Sequence, residues 1–143
     1  MTKGVIFFME SNTKSLWGDI SGWSNVLNKF GVDFYITVDI EGIEPNWNDS
    51  NIESYHVNTF QEALDKLQEV HSECETVWLK SDNSIELKDF THPINACYIF
   101  GADNANTVFD TADHNVKLYI IDIWAINCAS IVLYNRFVSG VDQ

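Results

Sequence analysis

Short apolar runs that alternate with amphipathic segments constrain the fold of this chain more than any other feature. Most of these runs show no regular polar–apolar alternation, which is typical of strands in a parallel sheet covered on both faces. The order of strands and helices therefore predicts an α/β fold, with a mainly parallel sheet flanked by helices. The predicted strands are Lys3–Met9, Val32–Val38, Ser54–Val57, Glu75–Leu79, Asn95–Gly101 and Val116–Ile121.

Three segments carry apolar residues at the three- and four-residue spacing of a helix. The first ends at Gly31, a usual helix stop. The second begins at Thr59, which forms a capping pattern with Glu62 three residues later. The third covers about Ala125 to Phe137, with an apolar stripe of Ile126, Ala129, Leu133 and Phe137. The sequence shows no repeat or linker, so residues 1–143 are expected to form one domain.

The chain is strongly acidic, with 8 Lys+Arg against 21 Asp+Glu and a net charge of −13. Most of the acidic residues fall between residues 31 and 95, and Arg136 is the only arginine. Nucleic-acid binding normally requires a basic stripe that displaces the counterions of the phosphates, and the sequence supplies none. The acidic charge is most simply a solvated surface.

The motifs of several common chemistries are missing. There is no GxGxxG or GxxxxGK[ST] phosphate loop and no GxSxG nucleophile, and the four histidines lack metal-ligand spacing. Cys74, Cys97 and Cys128 lack CxxC spacing and are interpreted as thiols of a reducing compartment, which predicts a cytoplasmic protein. No apolar run is long enough to span a membrane. We therefore expect neither a metal site nor a membrane partner.

The C-terminal third places backbone-rich loops directly after two predicted strands. NACYIFG leads into ADNAN, and KLYII leads into DIWAIN and then a helix. Ligands of open α/β sheets bind outside the carboxyl ends of the strands, so these loops are candidate binding elements. Gly101 would let a ligand approach the backbone closely, and Asn127 could cap the helix or offer its amide to a ligand. A turn glycine and a helix cap are the alternative interpretation.

The segments NACYIFGADN and LYIIDIWAINCASIVLYNRF resemble the C-terminal signature of the SPOUT class of RNA methyltransferases. The similarity is to the SpoU/TrmH-like branch, which methylates the 2′-oxygen of ribose. Ile99–Asp103 matches its "vfGxE" pattern with Asp in place of Glu, and Ala125–Asn127 replaces its Ser-Leu-Asn. The resemblance implies a SPOUT-like fold with a deep C-terminal trefoil knot over about residues 95–137, a homodimer, and S-adenosylmethionine (SAM) as the cofactor.

The resemblance also implies site residues. Asn12 and Asn127 take the places of the catalytic asparagines, and the expected methyl acceptor is RNA, tRNA rather than rRNA. The residues expected to line the cofactor are Leu79, Lys80, Ser81, Gly101, Ala102, Asp103, Ile121, Asp122, Ile123 and Asn127.

Three departures from the family pattern leave other functions open. No arginine follows Asn12, where the family places one at the ribose, and Lys14 would replace its bidentate geometry poorly. Ala125 lacks the hydroxyl of the family serine, and the net charge of −13 suits a polyanionic partner poorly. One alternative is a SAM-binding or interaction protein on the same fold that does not methylate RNA. Another is an acidic adaptor that mimics nucleic acid.

Overall fold

All described strands of the chain lie in one sheet. The computed structural model describes residues 1–8, 16–39, 51–79, 84–100, 112–118 and 125–143, with only the backbone for 16–21. The strands are β1 (Lys3–Phe8), β2 (Phe34–Val38), β3 (Glu53–Val57), β4 (Glu75–Leu79), β5 (Ile85–Glu86), β6 (Ala96–Phe100) and β7 (His114–Lys117). The helices are α1 (Leu16–Lys29), α2 (Phe60–Val70) and α3 (Ala125–Ser139), with a 3₁₀ turn at Leu87–Asp89.

The sheet has seven strands in the order β3-β2-β1-β6-β4-β7-β5, and every described pair is parallel. The strand β1 pairs with β2 on one side and with β6, the central strand, on the other, so that Val5 lies opposite both Tyr35 and Tyr98. All residues of β1, β2 and β6 are buried, as their continuous apolar sequences predict. The predicted fold class, an α/β sheet of parallel strands flanked by helices, is confirmed.

Helices cover both faces of the sheet. The buried residues of α1 and α3 pack with Val5, Phe7 and Tyr98 in one core, and those of α2 pack with Ile6 and Ile36 in the other. Where α1 meets α3, a Cβ atom on Gly22 would lie 2.5 Å from Cδ1 of Ile126, so a larger residue at this position requires the Ile126 side chain to move. The two helices therefore approach each other closely near the start of α3.

The helix boundaries follow the predicted signals. Thr59 is the N-cap of α2, and its Oγ1 accepts a hydrogen bond of 3.1 Å from the backbone N–H of Glu62. Gly31 follows α1 with φ of 62°, a conformation that favours glycine. The inward face of α3 differs from the predicted stripe at its C-terminal end, because Phe137 is exposed and Arg136 is buried. No described helix is long and apolar enough to cross a membrane.

Two short elements were not predicted. The strand β5 has two residues and pairs with β7 at the sheet edge, and the 3₁₀ turn follows it directly. The last predicted strand, Val116–Ile121, overlaps β7, which begins two residues earlier at His114 and ends at Lys117. Residues 119–124 lie outside the described part of the chain.

Candidate functional site at the carboxyl edge of the sheet

The parallel strands direct all their carboxyl ends to one edge of the sheet, which we call the carboxyl edge. The central strands reach it at Phe8, Val38, Leu79 and Phe100. The helix α3 also begins at this edge, since Arg136 in its last turn contacts the backbone that precedes β6 at the opposite edge. The first turn of α3 and the ends of the strands therefore surround one region, where open α/β sheets bind ligands.

Two of the predicted site residues lie in the described chain, and both are at the carboxyl edge. Leu79 is the last residue of β4 and is buried in the core beneath α1 and α3. Asn127 is the third residue of α3, with an exposed side chain, and it therefore is not the residue that precedes and caps the helix. The other predicted residues lie outside the described residues: Asn12, Lys80, Ser81, Gly101, Ala102, Asp103, Ile121, Asp122 and Ile123.

The strand order brings the starts of the predicted cofactor loops together. The strands that precede Lys80 and Gly101 are β4 and β6, which pair directly. The strand that precedes Ile121 is β7, which pairs with the other side of β4. The carboxyl ends of three strands that are far apart in sequence thus lie side by side at the same edge. The sequence alone could not show this adjacency, because β7 pairs with β4 and not with β6.

Asp39 is a candidate residue that the sequence reasoning missed. It directly follows β2 at the carboxyl edge, and it is only 4% exposed. Its backbone N–H donates to the carbonyl of Val57 at 2.8 Å, which continues the pairing with β3. Its Oδ1 is buried and has no hydrogen-bond partner among the described residues. A carboxylate placed directly after an apolar strand was the available signal, although many surface turns share it.

The side chain of Asp39 points to the sheet face that α1 and α3 cover. Side chains alternate along a strand, and Tyr35, four residues earlier, lies in the core on that face. Thr37, two residues earlier, hydrogen-bonds through Oγ1 to Nδ1 of His56 on β3. Burial lowers the pKa of His56. Asn127 and Asp39 therefore lie on the same side of the sheet and at the same edge.

The single arginine of the chain is at the opposite edge. Arg136 is fully buried, and its Nε donates to Asp142 Oδ1 at 2.7 Å. Its Nη1 donates to the carbonyl of Pro93 at 2.6 Å and to the Tyr98 hydroxyl at 3.0 Å, and its Nη2 donates to the carbonyl of Ile94 at 2.8 Å. A guanidinium held by four groups at the amino ends of the strands is not available to a ligand at the carboxyl edge.

The same buried cluster includes a histidine. The Tyr98 hydroxyl, which accepts from Arg136, donates to Nδ1 of His92 at 2.7 Å. His92 Nε2 then donates to Oδ1 of Asn135 at 2.6 Å. Burial lowers the pKa of His92 and raises that of Tyr98 to about 12. Each group in this series of hydrogen bonds has a partner while the histidine is neutral, which indicates a structural role.

The three cysteines of the sequence all lie in the described part of the chain. Cys97 and Cys128 are buried and Cys74 is half-buried, and none of the three forms a disulfide bond. Burial raises the pKa of Cys74 to about 12 and that of Cys97 well above its usual value, so neither thiol is an activated nucleophile. The described residues contain no group of three or more His, Cys, Asp or Glu side chains that could hold a metal ion.

Two solved structures share the fold of this chain. The crystal structure of the A. aeolicus TrmH/SpoU tRNA modifying enzyme matches with a TM-score of 0.69 and 14% identity, over 99% of this chain and 79% of that chain. The crystal structure of an RNA 2′-O ribose methyltransferase matches with a TM-score of 0.69 and 11% identity, over 98% of this chain and 57% of that chain. This chain thus spans little more than half the length of the second protein.

No protein-family model and no curated protein sequence matches the chain. The similarity therefore lies in the fold, which both structures share over nearly the whole of this chain at low sequence identity. The trefoil knot stays a prediction. The chain has the α/β fold of the SpoU class, as the resemblance of its C-terminal sequence predicts.

Proposed function

We propose that this protein is a SAM-dependent methyltransferase that modifies the 2′-oxygen of a ribose in RNA, in tRNA rather than rRNA. The observation that carries the proposal is the fold match over 98–99% of the chain to a tRNA modifying enzyme and an RNA 2′-O ribose methyltransferase. The sequence signature after β6 and β7 supports the same function. We further propose that the protein acts in the cytoplasm.

The described residues at the carboxyl edge fit the proposed cofactor. Leu79 gives a buried apolar surface at the end of β4, and Asn127 offers an exposed amide in the first turn of α3. The first turn of a helix also directs free backbone N–H groups toward a bound ligand. When bound, SAM supplies an electrophilic methyl group. The chain would hold the methyl acceptor beside it and orient the attacking hydroxyl.

The position of Arg136 favours one alternative function. The family places an arginine at the ribose, and the only arginine here is buried at the amino ends of the strands. The competing proposal is a SAM-binding or interaction protein that does not methylate RNA.

Titration calorimetry with SAM and with S-adenosylhomocysteine distinguishes a methyltransferase and a SAM-binding protein from an acidic adaptor, which would bind neither ligand. A dissociation constant near 1 μM, about −8 kcal/mol, is the expected result.

Methyl transfer from labelled SAM to bulk tRNA and to rRNA then tests the enzyme directly. We expect label in tRNA, and we expect Asn12→Ala and Asn127→Ala to reduce it. Asp65→Asn is the matched control, because Asp65 is exposed on α2 and bonds only Gln61 among the described residues. Transfer that survives both asparagine substitutions would show that the site residues are wrong. SAM binding without any transfer would favour the inactive alternative.

We also propose that the protein is a homodimer that forms through α3. The outer face of this helix exposes large apolar side chains beside an exposed Ile94, and monomeric surfaces rarely carry such a patch. Tyr134 and Phe137 are 58% and 54% exposed, with ring centroids 6.5 Å apart. Light scattering after size exclusion should give twice the monomer mass, and Tyr134→Glu should give the monomer mass. A wild-type monomer at micromolar concentration would contradict the proposal. The exposed apolar side chains are Ile94, Ile131, Tyr134, Phe137 and Val138.

A further inference from the structure

We propose that Asp39 is a catalytic residue that binds the hydroxyl group of the methyl acceptor and takes its proton. The inference rests on the proposed function and adds a residue to it. Asp39 is 4% exposed at the carboxyl edge, and its Oδ1 has no hydrogen-bond partner within the described part of the chain. A buried carboxylate oxygen without a partner is costly for the folded state, so its presence calls for a ligand that donates to it.

The place of Asp39 in the sheet identifies which ligand this is. The predicted cofactor loops leave β6, β4 and β7, which all lie on one side of β1. Asp39 follows β2, on the other side of β1. The carboxyl ends of β2 and β6 are about 10 Å apart, at two strand spacings. Asp39 therefore lies beside the cofactor region and not within it. The methyl acceptor would enter at this position beside the cofactor.

The chemistry of a carboxylate selects the group that it contacts. A carboxylate repels phosphate and accepts hydrogen bonds, so it would contact a hydroxyl and not the backbone charge of an RNA. In the transfer, the hydroxyl oxygen bonds to the methyl carbon while the bond from carbon to sulfur breaks and its electron pair stays on sulfur. The hydroxyl proton passes to Asp39, which leaves a methyl ether, a thioether and a neutral carboxyl group. Proton removal by a placed base typically accelerates a reaction by about 10²–10⁴-fold.

The orientation of Asp39 fits this role. The backbone bond to Val57 keeps residue 39 in the sheet, which fixes its side chain on the face of α1 and α3. The first turn of α3, with Asn127, covers the same face at the same edge. Of the side chains on this face of β3, His56 is already bonded to Thr37, whereas Oδ1 of Asp39 has no hydrogen-bond partner among the described residues.

The test compares Asp39→Asn with the wild type and with the control Asp65→Asn in three measurements. In the ligand-free protein, the midpoint of thermal unfolding of Asp39→Asn should equal or exceed that of the wild type, because a buried charge without a partner is removed. The dissociation constant for SAM should change by less than about twofold. The rate constant for methyl transfer at saturating RNA should fall by about 10²-fold or more.

Each other outcome overturns the inference. A midpoint lowered by several degrees would show that Asp39 is structural. A weakened affinity for SAM would assign Asp39 to the cofactor, and an unchanged transfer rate would show that it takes no proton. If the wild type transfers no methyl group to RNA, the proposed function fails and the inference fails with it. If the wild type is active and Asp39→Asn remains equally active, only the inference fails.

Discussion

The buried ion cluster at the opposite edge of the sheet, where the strands begin and which we call the amino edge, gives the sharpest prediction for stability. Asp142 bonds two buried cations, since Oδ2 accepts from Lys3 Nζ at 3.0 Å and Oδ1 accepts from Arg136 Nε at 2.7 Å. The side chains of Lys3 and Arg136 are 5% and 0% exposed, and that of Asp142 is 12% exposed. Burial raises the pKa of Asp142, but the hydrogen bonds and charges of the two cations outweigh it and hold the pKa below its usual value. Asp142→Ala would leave both cations without a carboxylate.

The expected loss follows from the burial of the two cations. Removal of one partner of a buried pair costs about 3–5 kcal/mol, because the remaining charge has lost its compensation. A domain of this size is stable by about 5–15 kcal/mol, so the variant should remain folded at 25 °C but lose much of its stability. The same loss lowers the thermal midpoint by roughly 10–15 °C. Urea unfolding followed by tryptophan fluorescence measures the free energy.

Two further variants separate the charge effect from a general disturbance of the C-terminal residues. Asp65→Ala removes an exposed carboxylate on α2 and should cost less than about 1 kcal/mol. Lys3→Met combined with Asp142→Ala removes one of the stranded cations and should recover about 1 kcal/mol or more of the loss. A loss below about 1 kcal/mol for Asp142→Ala, or no recovery in the double variant, would refute the reasoning.

Three further predictions concern other described contacts. Burial lowers the pKa of His92, so the unfolded chain binds its proton first as the pH falls below about 6.5. The free energy of unfolding should then decrease by up to about 1.4 kcal/mol per pH unit, until the pH reaches the pKa of His92 in the folded protein. His92→Gln should lack this contribution to the pH dependence of unfolding. Gly22→Val should press the valine side chain against Ile126 and lower the thermal midpoint. The double variant with Ile126→Ala should recover part of this loss, and an unchanged midpoint in Gly22→Val would contradict the contact. Thr59→Ala should cost about 1 kcal/mol in urea unfolding through the lost cap of α2, and a cost near zero would show that the cap is not formed in solution.

The fold class could be predicted from the sequence because the central strands are almost continuously apolar. The burial of β1, β2 and β6 on both faces is a direct consequence of their composition. The short strand β5 was not predictable, since two residues show no periodicity and the strand exists only through its pairing with β7. The insertion of β7 between β4 and β5 likewise depends on the whole sheet.

The candidate site was predictable in outline and not in its polar details. Strand ends that lead into backbone-rich loops located the carboxyl edge, where Leu79 and Asn127 are found. The buried state of Arg136 depends on Pro93, 43 residues away, and on Tyr98, 38 residues away, so no local pattern reveals it. Asp39 resembles any acidic turn residue until its burial is known, together with the lack of a hydrogen-bond partner for Oδ1 among the residues that the structure describes.

The contact between Lys3 and Asp142 has a consequence for protein engineering. It brings Nζ of Lys3 within 3.0 Å of Oδ2 of Asp142, so the backbones of these two residues are separated by no more than the combined length of the two side chains. A linker of a few residues, each spanning at most about 3.6 Å, is therefore long enough to join residue 143 to residue 1 in a circular permutant. Fusion partners or surface tethers attached at either end would emerge at the amino edge. The carboxyl edge would then face away from the attachment point and stay open to a large ligand.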